Sequence, residues 1–270
     1  MRQFLSLLFV LTIASAQAQL TPVLKNKRGI AILPQQGEYC IGFGVNPVFT
    51  YFGNFFNGSN SNTFPAAGYA APNQMLAVKF MKTNEKAYRA NFRMAYNSDV
   101  VTFNVKDMSP GADVNAVVTD RQKRSSSFIG LGLGIEKRKG QGRIQGIYGL
   151  EGLISYASGN NVKYEYGNKL ENLDTGIIRV KKQKASSLFS VGFRAFAGVE
   201  YFIAPKLSLG AEFGYGPTLG FKGAIEQTME QYDFVKAETV SDIKSYSPKS
   251  TTFNLDTDNY NGILKMLFYF

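Results

Sequence analysis

Apolar and polar residues alternate with a period of two along much of the chain. Tyr88, Phe92 and Tyr96, for example, alternate with residues such as Arg89 and Arg93. A helix would scatter these apolar side chains around its axis, whereas a strand places them on one face. The pattern predicts an all-β fold, with strands in about eight segments: 39–49, 76–81, 88–96, 129–136, 143–156, 189–201, 207–215 and 260–270.

The connections between these segments alternate between tight and long. The tight connections are 83–87, 137–142 and 204–206, and the long ones are 53–73, 97–125, 157–186 and 220–258. Outer-membrane barrels have short periplasmic turns and long outer loops. We therefore expect residues 37–270 to form a closed antiparallel up-and-down transmembrane β-barrel of about eight strands, with both termini periplasmic. Residues 100–105 and 162–166 also alternate, which predicts hairpins that continue beyond the membrane.

The first 18 residues have the features of a signal peptide. A positive Arg2 precedes an apolar run at 4–14, and Ala16 and Ala18 form an A-x-A cleavage site. The apolar run is shorter than the roughly 20 residues that a membrane-spanning helix needs. Residues 19–36 are then expected to be a periplasmic tail. We expect the protein in the outer membrane of a Gram-negative bacterium. The net charge of +10 could indicate binding to nucleic acid, but export argues against nucleic acid as a partner.

Three stretches of sequence resemble a known class of protein. They are VEYFIAPKLSLGAEFGYG at 199–216, LKMLFYF at 264–270 and the A-Q-A-Q cleavage site. Together they resemble small outer-membrane barrels of Bacteroidetes-type bacteria, on the scale of eight-stranded OmpA/OmpX-like barrels and porin-like relatives. The resemblance implies a barrel architecture without implying one activity. It also implies that the terminal Leu264, Met266, Phe268 and Phe270 are read by the barrel-assembly machinery.

The polar face of the strands is expected to fill a narrow lumen, because about eight strands leave room only for side chains. We predict a paired charge network there, with Arg93, Arg194, Glu151 and Glu212 at its centre, and hence a plugged barrel. The alternative is a soluble lipocalin-like barrel or sandwich whose charges face water. The predicted lumen charges are Lys79, Arg89, Arg93, Arg143, Arg194 and Lys265 with Glu136, Glu151, Glu200 and Glu212.

Several kinds of chemistry are missing from the composition. The chain has no histidine, which excludes a Ser-His catalytic pair and histidine metal sites. Glu151 and Glu212 fit ion pairing better than catalysis, and the lone Cys40 fits inward packing better than a reactive or ligand role. We therefore predict no enzyme activity, no cofactor and no metal.

Basic residues gather in two of the long connections. They are Arg121, Lys123 and Arg124 in one and Arg179, Lys181, Lys182 and Lys184 in the other. We expect them to bind outer-membrane lipid, in particular anionic headgroups of lipopolysaccharide-type glycolipid; the alternative is a solvated charged rim. Three functions stay open for a monomeric barrel: envelope structure or surface interaction through the outer loops, a small-solute channel, and an accessory barrel of an export or gliding assembly.

Overall fold

The structure, a computed structural model, describes residues 23–45, 76–140, 142–174, 176–257 and 263–270. These residues form twelve strands and a short 3₁₀ helix, Leu170–Asn172. No helix in these ranges is long and apolar enough to cross a membrane. The strands are β1 Tyr39–Gly44, β2 Leu76–Thr83, β3 Lys86–Lys106, β4 Val117–Lys139, β5 Ile144–Glu165, β6 Ile178–Lys184, β7 Ser187–Ala204, β8 Leu207–Lys222, β9 Glu226–Asp233, β10 Glu238–Ser245, β11 Ser250–Thr257 and β12 Ile263–Tyr269.

Eight of these strands pair in a closed ring of antiparallel neighbours. The order is β1-β2-β3-β4-β5-β7-β8-β12, and β12 pairs back to β1. At the closing pair, Tyr39 and Phe270 exchange backbone hydrogen bonds of 2.9 Å in both directions. The all-β antiparallel prediction is confirmed, and the eight predicted segments correspond to the eight strands of the ring.

The expected long loops are largely wrong, because most of their residues belong to strands. Strands β3, β4 and β5 run well past the ring, so the connection between β3 and β4 is only 107–116. The connection predicted at 157–186 contains β6, and the one at 220–258 contains β9, β10 and β11. The hairpin extension predicted at 100–105 and 162–166 is confirmed. The signal peptide and the connection 53–73 lie outside the described residues.

The extended strands form a second part of the sheet, which we call the extension sheet. It consists of β10, β9, β6 and the ends of β5, β4 and β3 beyond the ring, hydrogen-bonded in that order. Strand β11 pairs separately with the corresponding end of β8, where Ser250 lies opposite Lys222. The molecule therefore has two ends. At the tight-turn end, short connections join β2 to β3, β4 to β5 and β7 to β8, and at the opposite, extended end lie the extension sheet and β11.

Side chains of the ring alternate sharply between its two faces. On β3, Arg89, Asn91 and Arg93 are buried inside, whereas Tyr88 and Phe92, at alternate positions, are exposed outside. The outward face is a continuous apolar belt. Its members include Tyr39, Ile41, Leu76, Tyr88, Phe92, Tyr96, Ile129, Leu131, Leu133, Ile135, Tyr148, Leu150, Ile154, Tyr156, Phe193, Val199, Tyr201, Phe213, Tyr215, Leu264 and Phe268.

Residues 23–36, here called the N-terminal segment, pack across the tight-turn end of the ring. The Ile32 side chain is 3% exposed and joins a buried apolar cluster that contains Cys40, Phe202 and Leu267. The Lys206 amide donates to the Ile32 carbonyl at 3.1 Å, and the Lys206 ammonium donates to the Leu33 carbonyl at 3.0 Å. The expected periplasmic tail is therefore a packed part of the fold, and Cys40 has the inward position predicted for it.

Candidate functional site

The interior of the ring is filled by charged side chains, here called the interior network. Its half nearer the tight turns is centred on Glu200, which is fully buried. Lys79 and Arg138 approach one carboxylate oxygen of Glu200 at 3.3 and 2.9 Å. The hydroxyls of Ser208 and Tyr269 donate to the other oxygen at 2.5 and 2.8 Å. This carboxylate is thus satisfied by two cations and two hydroxyls.

The other half of the interior network is centred on Glu212. The guanidinium of Arg89 contacts both carboxylate oxygens of Glu212, at 3.0 and 3.1 Å. Arg194 and Lys265 each approach the same carboxylate at 3.1 Å. Arg194 also lies 3.3 Å from Glu151, which accepts a hydrogen bond from the Asn91 amide. Three of the four predicted central residues, Arg194, Glu151 and Glu212, are therefore in direct contact.

Glu136 joins the two halves of the interior network. Its carboxylate lies 2.8 Å from Lys79 on one side and 3.4 Å from Arg89 on the other. The Arg89 guanidinium also stacks on the Phe196 ring, 4.1 Å from its centroid. Every one of these side chains is buried, so the ion pairs form one continuous network from Glu200 to Glu151.

Arg143 and Arg138 lie in places that differ from the prediction. Arg143 was expected in the lumen, but it is exposed at the tight-turn end, where it donates to the carbonyls of Phe202 and Ile203 at 3.1 and 3.0 Å. Arg138 takes the interior position instead. Arg93 is inside the ring, next to Phe128 at 5.8 Å from the ring centroid. The prediction missed Arg138 because it assigned 137–142 to a turn, although Arg138 shares the parity of Glu136.

The predicted glycolipid contacts are divided among three environments. Arg121, Lys123, Lys182 and Lys184 are exposed on the extension sheet. Arg124 points to the opposite face from Lys123 and donates to Gln122 at 2.8 Å. Arg179 and Lys181 both pair with Glu230, at 2.9 and 3.2 Å. This third group borders a cleft of about 490 Å³ that also includes the stacked Tyr164 and Tyr166.

One of the basic environments is ordered by strand register. Lys123 on β4 lies directly opposite Lys163 on β5, and Lys163 lies directly opposite Lys182 on β6. These three lysines are called the basic row. The pKa of Glu165 is lowered by a hydrogen bond from Lys163 and by the charge of Lys163, with smaller contributions from Arg121 and Lys123, so the cations converge on this carboxylate.

The terminal residues singled out by the sequence form the outer wall of the ring. Leu264, Phe268 and Phe270 are exposed on its apolar face, and Met266 is half-buried there. Between them, Lys265 and Tyr269 point inward. Their recognition by the assembly machinery stays a prediction.

Within the described ranges, no group of three or more cysteine or acidic side chains is arranged to hold a metal ion. Comparison with protein-family models and with curated proteins finds no match to this chain.

Proposed function

We propose that this protein is a transmembrane β-barrel of the outer membrane of a Gram-negative bacterium, with a closed lumen, which acts in envelope structure or surface interaction. The observation that carries the proposal is the inverted polarity of the ring. Charged side chains such as Glu136 and Glu200 are buried inside, and large apolar side chains such as Leu133 and Tyr88 are exposed outside. A soluble protein has the opposite arrangement.

The apolar belt is too large to face water. At roughly 1 kcal/mol for each half-exposed apolar side chain, leaving it hydrated costs on the order of tens of kcal/mol. Its height also fits a membrane. Tyr88 and Tyr96 mark its edges on β3, and a strand of this length, at about 3.4 Å per residue and about 40° of tilt, rises about 20 Å. Outer-membrane barrels have an apolar band of about 25 Å between aromatic girdles.

The filled interior supports a closed barrel over a channel. Removing one member of a buried ion pair leaves an uncompensated charge at a cost of about 3–5 kcal/mol, so the interior network resists rearrangement. The apolar cluster under Ile32 adds a second barrier at the tight-turn end. With both barriers in place, the extended end is the part of the molecule available to partners.

A single charge placed in the belt tests membrane insertion. Leu133 lies in the middle of the belt and is 58% exposed. In a bilayer, Leu133→Arg should destabilise the protein by about 2–4 kcal/mol. In a soluble protein, the same change at an exposed leucine would be neutral or favourable. The measurement is the urea midpoint of the protein refolded into phosphatidylcholine vesicles.

Val114→Arg is the matched control, because Val114 is 72% exposed but lies in the connection beyond β3. It should leave the midpoint unchanged. Equal effects of the two substitutions, or a protein that stays soluble without detergent, would refute the proposal. Planar-bilayer recordings separate the functional classes, since steady single-channel openings would favour the small-solute channel.

A further inference from the structure

The three lysines of the basic row are forced together by backbone register. Directly opposed residues in antiparallel strands have Cα atoms about 4.5–5.5 Å apart and point to the same face. Lys123, Lys163 and Lys182 therefore span about 10 Å on one face of three adjacent strands. Like charges placed directly opposite each other destabilise a sheet. An anion bound over the row would remove this repulsion.

The acidic residues nearby do not neutralise the face. Arg121 and Lys184 lie on the same face as the row, two positions from Lys123 and Lys182 along their strands. Glu165 pairs with Lys163 at 2.8 Å, and Glu226 pairs with Lys184 at 3.6 Å. The five cations in and beside the row are thus matched by two carboxylates, and farther along the face Arg179 and Lys181 share Glu230, so the described face keeps a positive excess.

The row lies on the side of the sheet that continues the apolar belt. Lys123 is opposite Val100, which has the same outward parity as Tyr96 four positions earlier on β3. At about 3.4 Å per residue and about 40° of tilt, the row is about 10 Å beyond the edge of the belt. The polar layer of an ordinary bilayer is only about 5–8 Å deep on each side. A headgroup that reaches the row must therefore project further than that of a simple phospholipid.

We propose that the basic row is a binding site for the phosphorylated sugar headgroup of a glycolipid in the membrane that surrounds the barrel. The site rests on the proposed insertion of the belt in a membrane, which gives the row its position above the acyl chains. Lys123, Lys163 and Lys182 donate to phosphate oxygens, and Arg121 and Lys184 raise the local potential. The acyl chains lie against the belt on the same strands.

The test uses the full chain refolded in detergent, with bisphosphorylated lipid A as the probe and calorimetric titration as the measurement. Lys123→Gln, Lys163→Gln and Lys182→Gln are combined in one variant. At roughly fivefold per lysine near a charged lipid surface, the triple variant should bind about a hundredfold more weakly. Lipid A from which the phosphates have been removed should bind the unaltered protein as weakly as phosphorylated lipid A binds the triple variant.

The matched control combines Lys236→Gln, Lys244→Gln and Lys249→Gln. These lysines are exposed at the same end of the molecule, and replacing them removes the same charge. They form no row across strands. Their loss should change the affinity by less than about threefold if proximity in the row matters more than net charge. An equal loss in both triple variants would refute the site, as would equal binding of the dephosphorylated lipid.

Two further measurements distinguish failure of the basic row from failure of the proposed membrane insertion, and glycolipid binding from binding of free anions. Heat-modifiable migration on gels reports whether each variant still forms the folded barrel, so failed insertion of the unaltered protein counts against the proposed function and not against the row alone. Inorganic phosphate is added as a competitor. If millimolar phosphate displaces lipid A completely, the site binds free anions, and the glycolipid proposal is overturned.

Discussion

Glu200→Gln is the most direct test of the interior network. Glu200 is 0% exposed and lies between Lys79 and Arg138. The amide keeps the volume of the side chain and an oxygen that accepts from Ser208 and Tyr269, but it removes the negative charge. Breaking a buried ion pair costs about 3–5 kcal/mol. We expect about 3 kcal/mol, because Glu136 remains 2.8 Å from Lys79.

The assay is urea unfolding of the protein in vesicles. The chain has no tryptophan, so the folded fraction is followed by the mobility of unheated samples on gels. With an m-value of about 3 kcal/mol/M, a loss of 3 kcal/mol lowers the urea midpoint by about 1 M. Tyr269→Phe removes one hydroxyl donor without a charge and should cost about 1–2 kcal/mol.

Glu171→Gln is the control for charge removal in general. Glu171 pairs with Lys169 at 3.3 Å, and both side chains are largely exposed. Exposed pairs of this kind contribute at most about 1 kcal/mol. If Glu200→Gln and Glu171→Gln lower stability equally, or if neither does, the interior network does not stabilise the ring.

Three further predictions test the packing of the ring. Gly149→Ala should destabilise by about 1–3 kcal/mol, because a Cβ there would lie 2.0 Å from the Ile135 carbonyl oxygen, whereas Gly152→Ala, with its nearest atom at 3.9 Å, should be neutral in the same unfolding assay. Cys40, which is 0% exposed, should react with maleimide only after unfolding in urea, and rapid labelling of the folded protein would contradict its interior position. Lys206→Met removes the 3.0 Å hydrogen bond from the ammonium to the Leu33 carbonyl and should raise tryptic cleavage of the N-terminal segment about tenfold, with unchanged gel mobility of the ring; an unchanged cleavage rate would show that the Lys206 ammonium does not hold the segment.

The ring could be predicted from the sequence because one face of each strand is apolar throughout. On β3, the alternation of Tyr88 and Phe92 with Arg89 and Arg93 fixes the inward face without any knowledge of the partner strand. The same parity, continued past Glu136, would have placed Arg138 inside. Arg138 was missed because the position where a strand ends is harder to predict from sequence than the strand itself.

The outer strands of the extension sheet could not be predicted in the same way. Strand β9 reads EQTMEQYD and β10 reads ETVSDIKS, so neither has a face of consistently apolar side chains. Where both faces of a sheet meet polar surroundings, the period-two signal of hydrophobicity disappears. These strands are defined by pairing along the backbone, which leaves little trace in the local composition.

The basic row could not be predicted without the register between strands. Lys123 and Lys163 are 40 positions apart, and a register shift between Ser125 and Ser127 lies between the ring and their pairing. A shift by one residue would have placed Lys163 opposite a residue of the other face. The sequence therefore revealed basic clusters but not which lysines face each other, and Lys163 was absent from the predicted contacts.

The two closures of the ring bear on where this protein acts. The apolar cluster beneath Ile32 and the interior network around Glu200 are made by different residues and different forces. Opening one would leave the other, so a solute path through the ring requires both a displaced N-terminal segment and several broken buried ion pairs. The extension sheet carries no such constraint, since its cations are exposed and ordered by strands that continue the rigid wall. These features favour the proposed action at the extended end over transport through the ring.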